Sequence, residues 1–242
     1  MEQSRKKFLK NFLVGAASVP LILESCKKDS SSGTGTGSGG TSCIVTHEEV
    51  EGPYPYPGGE LTNPLNRSDV TGGQTGVPLT LNFTVVNTNN SCVVVSSARV
   101  DIWHCNKDGY YSGYNNQNGG SLGTQNYSGQ TWLRGYQMTD ASGKATFLTI
   151  YPGWYQGRAT HIHMEVFVNN VLKKTGQITF PESISDVVHV SSLYAAHGIN
   201  TMRNSSDGIF NNSATDLSNE TVALTGSVAA GYSGSYTLGI AL

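Results

Sequence analysis

Residues 131–168 read TWLRGYQMTDASGKATFLTIYPGWYQGRATHIHMEVFV. Three runs rich in β-branched and aromatic residues, Thr131–Met138, Ala145–Ile150 and Thr160–Val168, are separated by Asp140-Ala141-Ser142-Gly143 and by Pro152-Gly153-Trp154-Tyr155-Gln156-Gly157. Runs this short, broken by turn-forming Asp, Gly and Pro, predict strands rather than helices. The same pattern extends outward to Leu79–Val86, Ala98–Cys105, Val171–Phe180 and Tyr232–Ile240. Helical periodicity is nearly absent, with short helical turns expected only near Ser191–Ala196 and Asp207–Phe210. The expected fold is mainly β, a single antiparallel β-sandwich whose long loops carry the function.

Composition narrows the function classes. The 242 residues carry a formal net charge of −2 and are only 13% charged, which excludes duplex DNA binding through a basic field and makes nucleic acid an unexpected partner. The low charge also argues against a coiled coil and against charge-rich disorder along most of the chain. No apolar run reaches the roughly 18 residues of a membrane-spanning helix.

The first residues read as an address. Arg5, Lys6, Lys7 and Lys10 precede the short apolar core Phe12–Leu23, and Leu23-Glu24-Ser25-Cys26 resembles the lipobox of a bacterial lipoprotein. SRKKFLK (residues 4–10) resembles a twin-arginine export signal with Lys6 in place of the second arginine. Residues 1–25 are therefore expected to be an export signal. Residues 26–42 are expected to comprise a lipidated Cys26 and a flexible Ser/Gly/Thr tether, and residues 43–242 to form the domain. The protein is expected to be exported and anchored by that lipid to an envelope membrane, on its periplasmic face or the outer surface. Cys43, Cys92 and Cys105 remain, so one disulfide and one free thiol are expected. The position of Cys105 at the end of a buried-type strand favours Cys43–Cys92.

The chemistry is concentrated at Thr160-His161-Ile162-His163. Residues i and i+2 of a strand share a face, so His161 and His163 form half of a transition-metal site. Tyrosines crowd two nearby loops: Tyr110, Tyr111 and Tyr114 in DGYYSGY, and Tyr155 in PGWYQGR. A phenol with pKa about 10 ionises at neutral pH only beside a strong cation. Two phenolates and a hydroxide would balance the three charges of ferric iron. Zinc prefers Cys, His and carboxylate. Glu165, at i+2 from His163, leaves open a zinc or ferrous site made of His161, His163 and Glu165. His47, His189 and His197 read as surface or loop residues, and His104, Asp101 and Trp103 as shaping the core.

VDIWHCNKDGYYSGY (100–114) and LRGYQMTDASGKATFLTIYPGWYQGRATHIHMEVF (133–167) resemble the core of the intradiol ring-cleavage dioxygenases, nearest their protocatechuate-type branch. EGPYPYPGGE (51–60) resembles an N-terminal motif of their extracellular members. The resemblance implies an immunoglobulin- or transthyretin-like sandwich core and one Fe(III) per chain, bound by Tyr111, Tyr155, His161 and His163. Tyr110 is the rival to Tyr111, and the spacing from Trp103 favours Tyr111. The resemblance also implies a catechol-type diol and O2 as partners, with Tyr155 as base. Arg158 and Gln177 would face the substrate, and a homo-oligomer is compatible with all of this. Gln156-Gly157 replaces a longer, tryptophan-bearing stretch of the protocatechuate branch, which alters the pocket wall. A non-catalytic reading competes: TDASGKATFLTIYPGWY (139–155) also resembles an immunoglobulin- or transthyretin-like adhesion module, in which Trp154 and Tyr155 pack a turn or contact sugar.

Overall fold

Apolar side chains at alternate positions build the first strand, β1 (Pro78–Asn87): Leu79, Leu81, Phe83 and Val85 are buried, and Thr80, Asn82 and Thr84 between them are half-exposed. The computed structural model describes residues 43–242, so the export signal, Cys26 and the tether lie outside the described residues. The remaining strands in chain order are β2 (Val93–Val94), β3 (Arg99–Trp103), β4 (Gln117–Asn118), β5 (Thr124–Gln125), β6 (Arg134–Met138), β7 (Lys144–Ile150), β8 (His161–Val168), β9 (Val171–Thr179), β10 (Ala223–Ser227) and β11 (Gly231–Ile240). Two helices, α1 (Glu182–His189) and α2 (Ala214–Glu220), complete the domain.

One sheet orders β10-β11-β1, with β7 and β2 sharing the far edge of β1, and the other orders β6-β3-β8-β9. Between them lies a core drawn from both: Leu81, Phe83, Phe147 and Leu238 from the first, Val100, Ile102, Ile162, Met164 and Ile178 from the second. The mainly β sandwich expected from the alternation is present. Its pairing departs from antiparallel in one ladder, because β11 returns beside β1 in parallel, Leu79 opposite Tyr232 and Phe83 opposite Tyr236. The helices differ from expectation as well. The short helical turns expected at Ser191–Ala196 and Asp207–Phe210 are present, closed by Ala195 N–H to Ser191 O (2.9 Å) and Asn211 N–H to Asp207 O (3.0 Å), but the two helices at 182–189 and 214–220 come in addition to them. Both are too short for a readable apolar stripe. The start of α2 is marked only by its cap, where Asp216 N–H donates to Ser213 Oγ at 3.0 Å.

In β8 seven of eight residues are buried, on both faces. A strand buried on both faces belongs to a covered sheet, and here the cover on the outer face comes from residues 46–60. Glu49 N–H donates to Thr175 O (3.0 Å) and Gln177 Nε2 donates to Val50 O (2.8 Å), so this segment runs along β9. A disulfide joins Cys43 to Cys92, fastening the start of the segment near β2, and Cys105 is a buried free thiol.

Candidate active site

The outer face of the β6-β3-β8-β9 sheet carries the polar members of each strand. The register sets Trp103 opposite His163 and His163 opposite Gln177, so one rung holds an indole, an imidazole and an amide; His161 lies on the next rung, opposite Thr179. Trp103 stacks flat on His163, with ring centroids 5.0 Å apart and planes 4° from parallel.

Tyr111 comes to the same point on the loop after β3. Its backbone N–H donates to Gln117 Oε1 at 2.6 Å, and Gln117 Nε2 donates back to Tyr111 O at 2.7 Å, which locks the loop. Tyr111 Oη lies 3.3 Å from His161 Nε2 and 3.1 Å from His163 Nε2, and the two Nε2 atoms are 3.1 Å apart. All three side chains are buried. His161 Nδ1 lies 2.6 Å from Ala159 O, an acceptor only, so Nδ1 carries the proton and the Nε2 lone pair faces the cluster. Burial holds both imidazoles neutral: His161 is lowered to about 3, and His163 falls well below its ordinary value. Burial likewise raises the Tyr111 phenol well above 10, and Tyr155 to about 12 with Arg158 opposing. A neutral buried pocket with three converging donor atoms is suited to a cation that would turn the phenols into phenolates.

Tyr155, half-buried on the loop after β7, brings its ring within 5.5 Å of His161 and 5.8 Å of Tyr111. Its hydroxyl accepts from Arg158 Nη1 at 3.4 Å. Arg158 Nη2 donates to Gln177 Oε1 (2.6 Å) and its Nε to Asp207 Oδ2 (2.9 Å). All six site residues expected from the sequence are thus brought together. Tyr110 is not among them: its hydroxyl donates to Gly123 O at 2.8 Å and its ring packs with Trp132. Glu165 shares the face of His163 but bonds Thr175 Oγ1 at 3.1 Å, and no described group of three His, Cys or carboxylate ligands includes it. That removes the His-His-Glu alternative.

Two contributors escaped the sequence reading. Asp207, fully buried, accepts from Arg158 and from Ala159 N–H (2.6 Å), holding both the guanidinium and the entry to β8. Tyr54 stacks on Tyr111 at 4.5 Å and meets Tyr155 edge-on at 5.9 Å. It belongs to EGPYPYPGGE, where the motif was visible but its target was not. One histidine differs from expectation: His189 is buried, since α1 packs against the sandwich. His197 lies in a loop as expected, half-buried and stacked on Trp154 with centroids 3.9 Å apart. A cavity of about 330 Å³, lined by Asp108, Asn118, Trp154, Tyr155, Gln156 and His197, opens beside Tyr155.

Comparison with known proteins gives a consistent result. Residues 50–208 match the family model described as Dioxygenase. The chain is 29% identical to an intradiol ring-cleavage dioxygenase from Tetranychus urticae, covering 82% of this chain and 95% of that one with a TM-score of 0.72. The dioxygenase domain of a carbohydrate-binding fusion from Streptomyces sp. SirexAA-E, at 23% identity, shares the fold with a TM-score of 0.59 over 82% of this chain and 99% of that one. Catechol 1,2-dioxygenase 1 of Acinetobacter lwoffii is 26% identical over 150 residues, 54% of this chain, and the match spans 45% of that enzyme. The adhesion-module reading has no support in these relatives.

Proposed function

The chain belongs to the intradiol ring-cleavage dioxygenases, and from that premise we propose that it cleaves a catechol-type ring between its two hydroxyls with O2, giving a muconate-type diacid. The observation that carries this reading is the convergence of Tyr111 Oη and both Nε2 atoms within 3.1–3.3 Å in a buried pocket. The family depends on non-haem iron, and the donor set fits it: two phenols and two neutral imidazoles suit a hard, highly charged ion. Tyr111, Tyr155, His161 and His163 would hold one Fe(III) per chain, which when bound supplies Lewis acidity toward the diol oxygens and accepts electron density from the ring.

The residues do the rest. Tyr155 is the less buried of the two tyrosines and borders the cavity, so its Oη, as the phenolate that a bound cation would hold, could take a proton from the entering diol and become a neutral phenol. The Arg158 guanidinium, charged at any working pH, lies against that hydroxyl and stabilises anionic oxygen as it develops. Asp207 and Gln177 keep it aimed there. Trp103, Tyr54 and the covering segment exclude bulk water, which strengthens each of these interactions. The test is oxygen uptake with catechol, protocatechuate and hydroxyquinol and identification of the product. A muconate supports the reading, and a muconic semialdehyde, from cleavage beside the two hydroxyls, overturns it.

Export and a lipid anchor at Cys26 form part of the same proposal, supported by the basic, apolar and Leu-Glu-Ser-Cys elements in order and by the Ser/Gly/Thr stretch before residue 43. The division into a signal (1–25), tether (26–42) and catalytic domain (43–242) follows from it.

A further inference from the structure

Away from the tyrosine–histidine site, His47, Glu49 and Glu220 bring one imidazole nitrogen and two carboxylate oxygens within 4.8 Å of one another. His47 and Glu49 lie on the segment that runs along β9. Glu220 ends α2, and the next residue, Thr221, bridges to Thr179 of β9. His47 Nδ1 is 2.8 Å from Glu49 Oε1, and Asn212 Nδ2 donates to the same oxygen at 3.1 Å. Glu220 is only 1% exposed, and apart from the facing Glu49 carboxyl, with which it could share a proton, its oxygens have no hydrogen-bond partner among the described residues. Its carboxyl faces that of Glu49, whose side chain is 6% exposed, while the His47 side chain is 38% exposed.

Two carboxylates withdrawn from water and set against each other require a positive charge or a proton between them. The carbonyl end of α2 adds to the negative potential at Glu220. Burial and Glu49 push the Glu220 carboxyl up to about 8, so a proton is the competitor of a cation here. A shared proton would satisfy the two carboxyls alone. A divalent ion would engage all three groups and leave its remaining position to solvent on the His47 side.

We propose that His47 Nδ1, Glu49 and Glu220 form a second, structural site for a divalent cation of the zinc type. One nitrogen and two carboxylate oxygens are a zinc donor set, whereas calcium seeks six to eight oxygens. The consequence reaches the active site. The stretch this ion would fasten to α2 continues to Gly52, where an added Cβ would stand 2.8 Å from His163 Cε1, and to Tyr54 on Tyr111.

The iron-loaded full chain is titrated with zinc chloride by calorimetry while its visible absorption is monitored, and its thermal unfolding is followed with and without zinc. One equivalent should bind with the visible band unchanged. The melting midpoint should rise by roughly 5–10 °C at a hundredfold excess over Kd. His47→Ala, at a half-exposed position compatible with folding, should weaken binding by about 100-fold or more, and Glu220→Gln should abolish it. Absence of zinc uptake, uptake that removes the iron band, or uptake indifferent to His47→Ala overturns the proposal. A Glu220→Gln protein as stable as the parent, together with no zinc-dependent shift in the parent, identifies a shared proton and overturns it equally. Should Glu220→Gln fail to fold, His47→Ala decides.

Discussion

At the scale of single residues the site divides into atoms that would hold iron and atoms that hold those residues in place. Tyr111→Phe should cost more iron affinity than the roughly 10–100-fold typical of an outer-shell change, and Tyr155→Phe should shift or weaken the visible band of the loaded protein. Tyr110→Phe should alter neither, because its hydroxyl is spent on Gly123 O. Iron analysis and absorption spectra of the three variants check this. Arg158 touches no histidine of the cluster and lies against the Tyr155 hydroxyl. Arg158→Ala should therefore lower kcat by roughly 10²–10³ while iron content and the resting spectrum change little. Asp207→Asn should give a smaller loss in the same direction, since Nε loses a charged acceptor but Gln177 still holds Nη2. Steady-state kinetics of both variants, with turnover unchanged in Arg158→Ala as the refuting outcome, test the role given to this arginine.

At the scale of elements, the segment from Cys43 to Glu60 is the least regular part of the domain, yet it covers the sheet face that bears the site. It has no ladder of its own; single backbone bonds tie it to β9 and to β11, the latter from Thr46 N–H to Gly239 O at 2.9 Å, and side chains hold it elsewhere, Tyr114 Oη donating to Pro55 O at 2.6 Å and Arg99 Nη2 to Glu60 O. The disulfide, closing a sequence separation of 49, ties its start to the body of the sandwich. The chain-entropy estimate for a loop of that size is about 4 kcal/mol, with native disulfides typically worth 2–4. Cys92→Ser should lower unfolding stability by about that amount in urea titrations, with the catalytic histidines still folded. An unchanged midpoint would show that the cover is held by its other contacts.

At the scale of the whole molecule, buried titratable groups set the pH dependence of stability. Burial lowers His104 and His189 from 6.5 to about 4, so the unfolded chain binds protons there that the folded chain refuses. Their contribution is fully present above pH 6.5 and is lost as pH falls through about 4. Glu60 works oppositely. Its carboxyl is raised from 4.5 to about 7, so its contribution is present below pH 4.5 and is lost as pH rises through 7. The raised carboxyls of Asp101 (about 6) and Glu220 (about 8) slope the same way as Glu60, so each buried histidine is read by the downward slope it adds to the urea midpoint as pH falls from 6.5 to 4. His104→Gln, whose amide oxygen can still accept from Thr149 Oγ1 as the imidazole Nε2 does, should flatten that slope; a slope unchanged in both His104→Gln and His189→Gln would contradict the assignment. The anchor belongs to this scale too. Mass spectrometry of membrane-extracted protein should find acyl chains on Cys26 as the first residue, and an unmodified protein beginning elsewhere refutes it.

Local pattern was enough to read the strands, the shared face of His161 and His163 and the tyrosine-bearing loops, because strand period and turn chemistry act over a few residues. The pairing Cys43–Cys92 was legible for a related reason: Cys105 ends a buried strand. What local pattern could not carry were contacts between distant stretches. Which of Tyr110 and Tyr111 turns inward depends on the Gln117 clasp. Asp207 reaches Arg158 across the gap from β8 to a late loop, and Tyr54 reaches Tyr111 from a segment with no period at all. The parallel return of β11 and the two short helices were equally hidden, since a seven- or eight-residue helix gains its stability from the surface it lands on. Sequence determined the kind of residue available and the face each strand presents. Tertiary structure decided which of them meet, because burial, and with it the shifted acidity of Tyr111, Tyr155, His161 and His163, exists only once the sheets and the covering segment have closed around them.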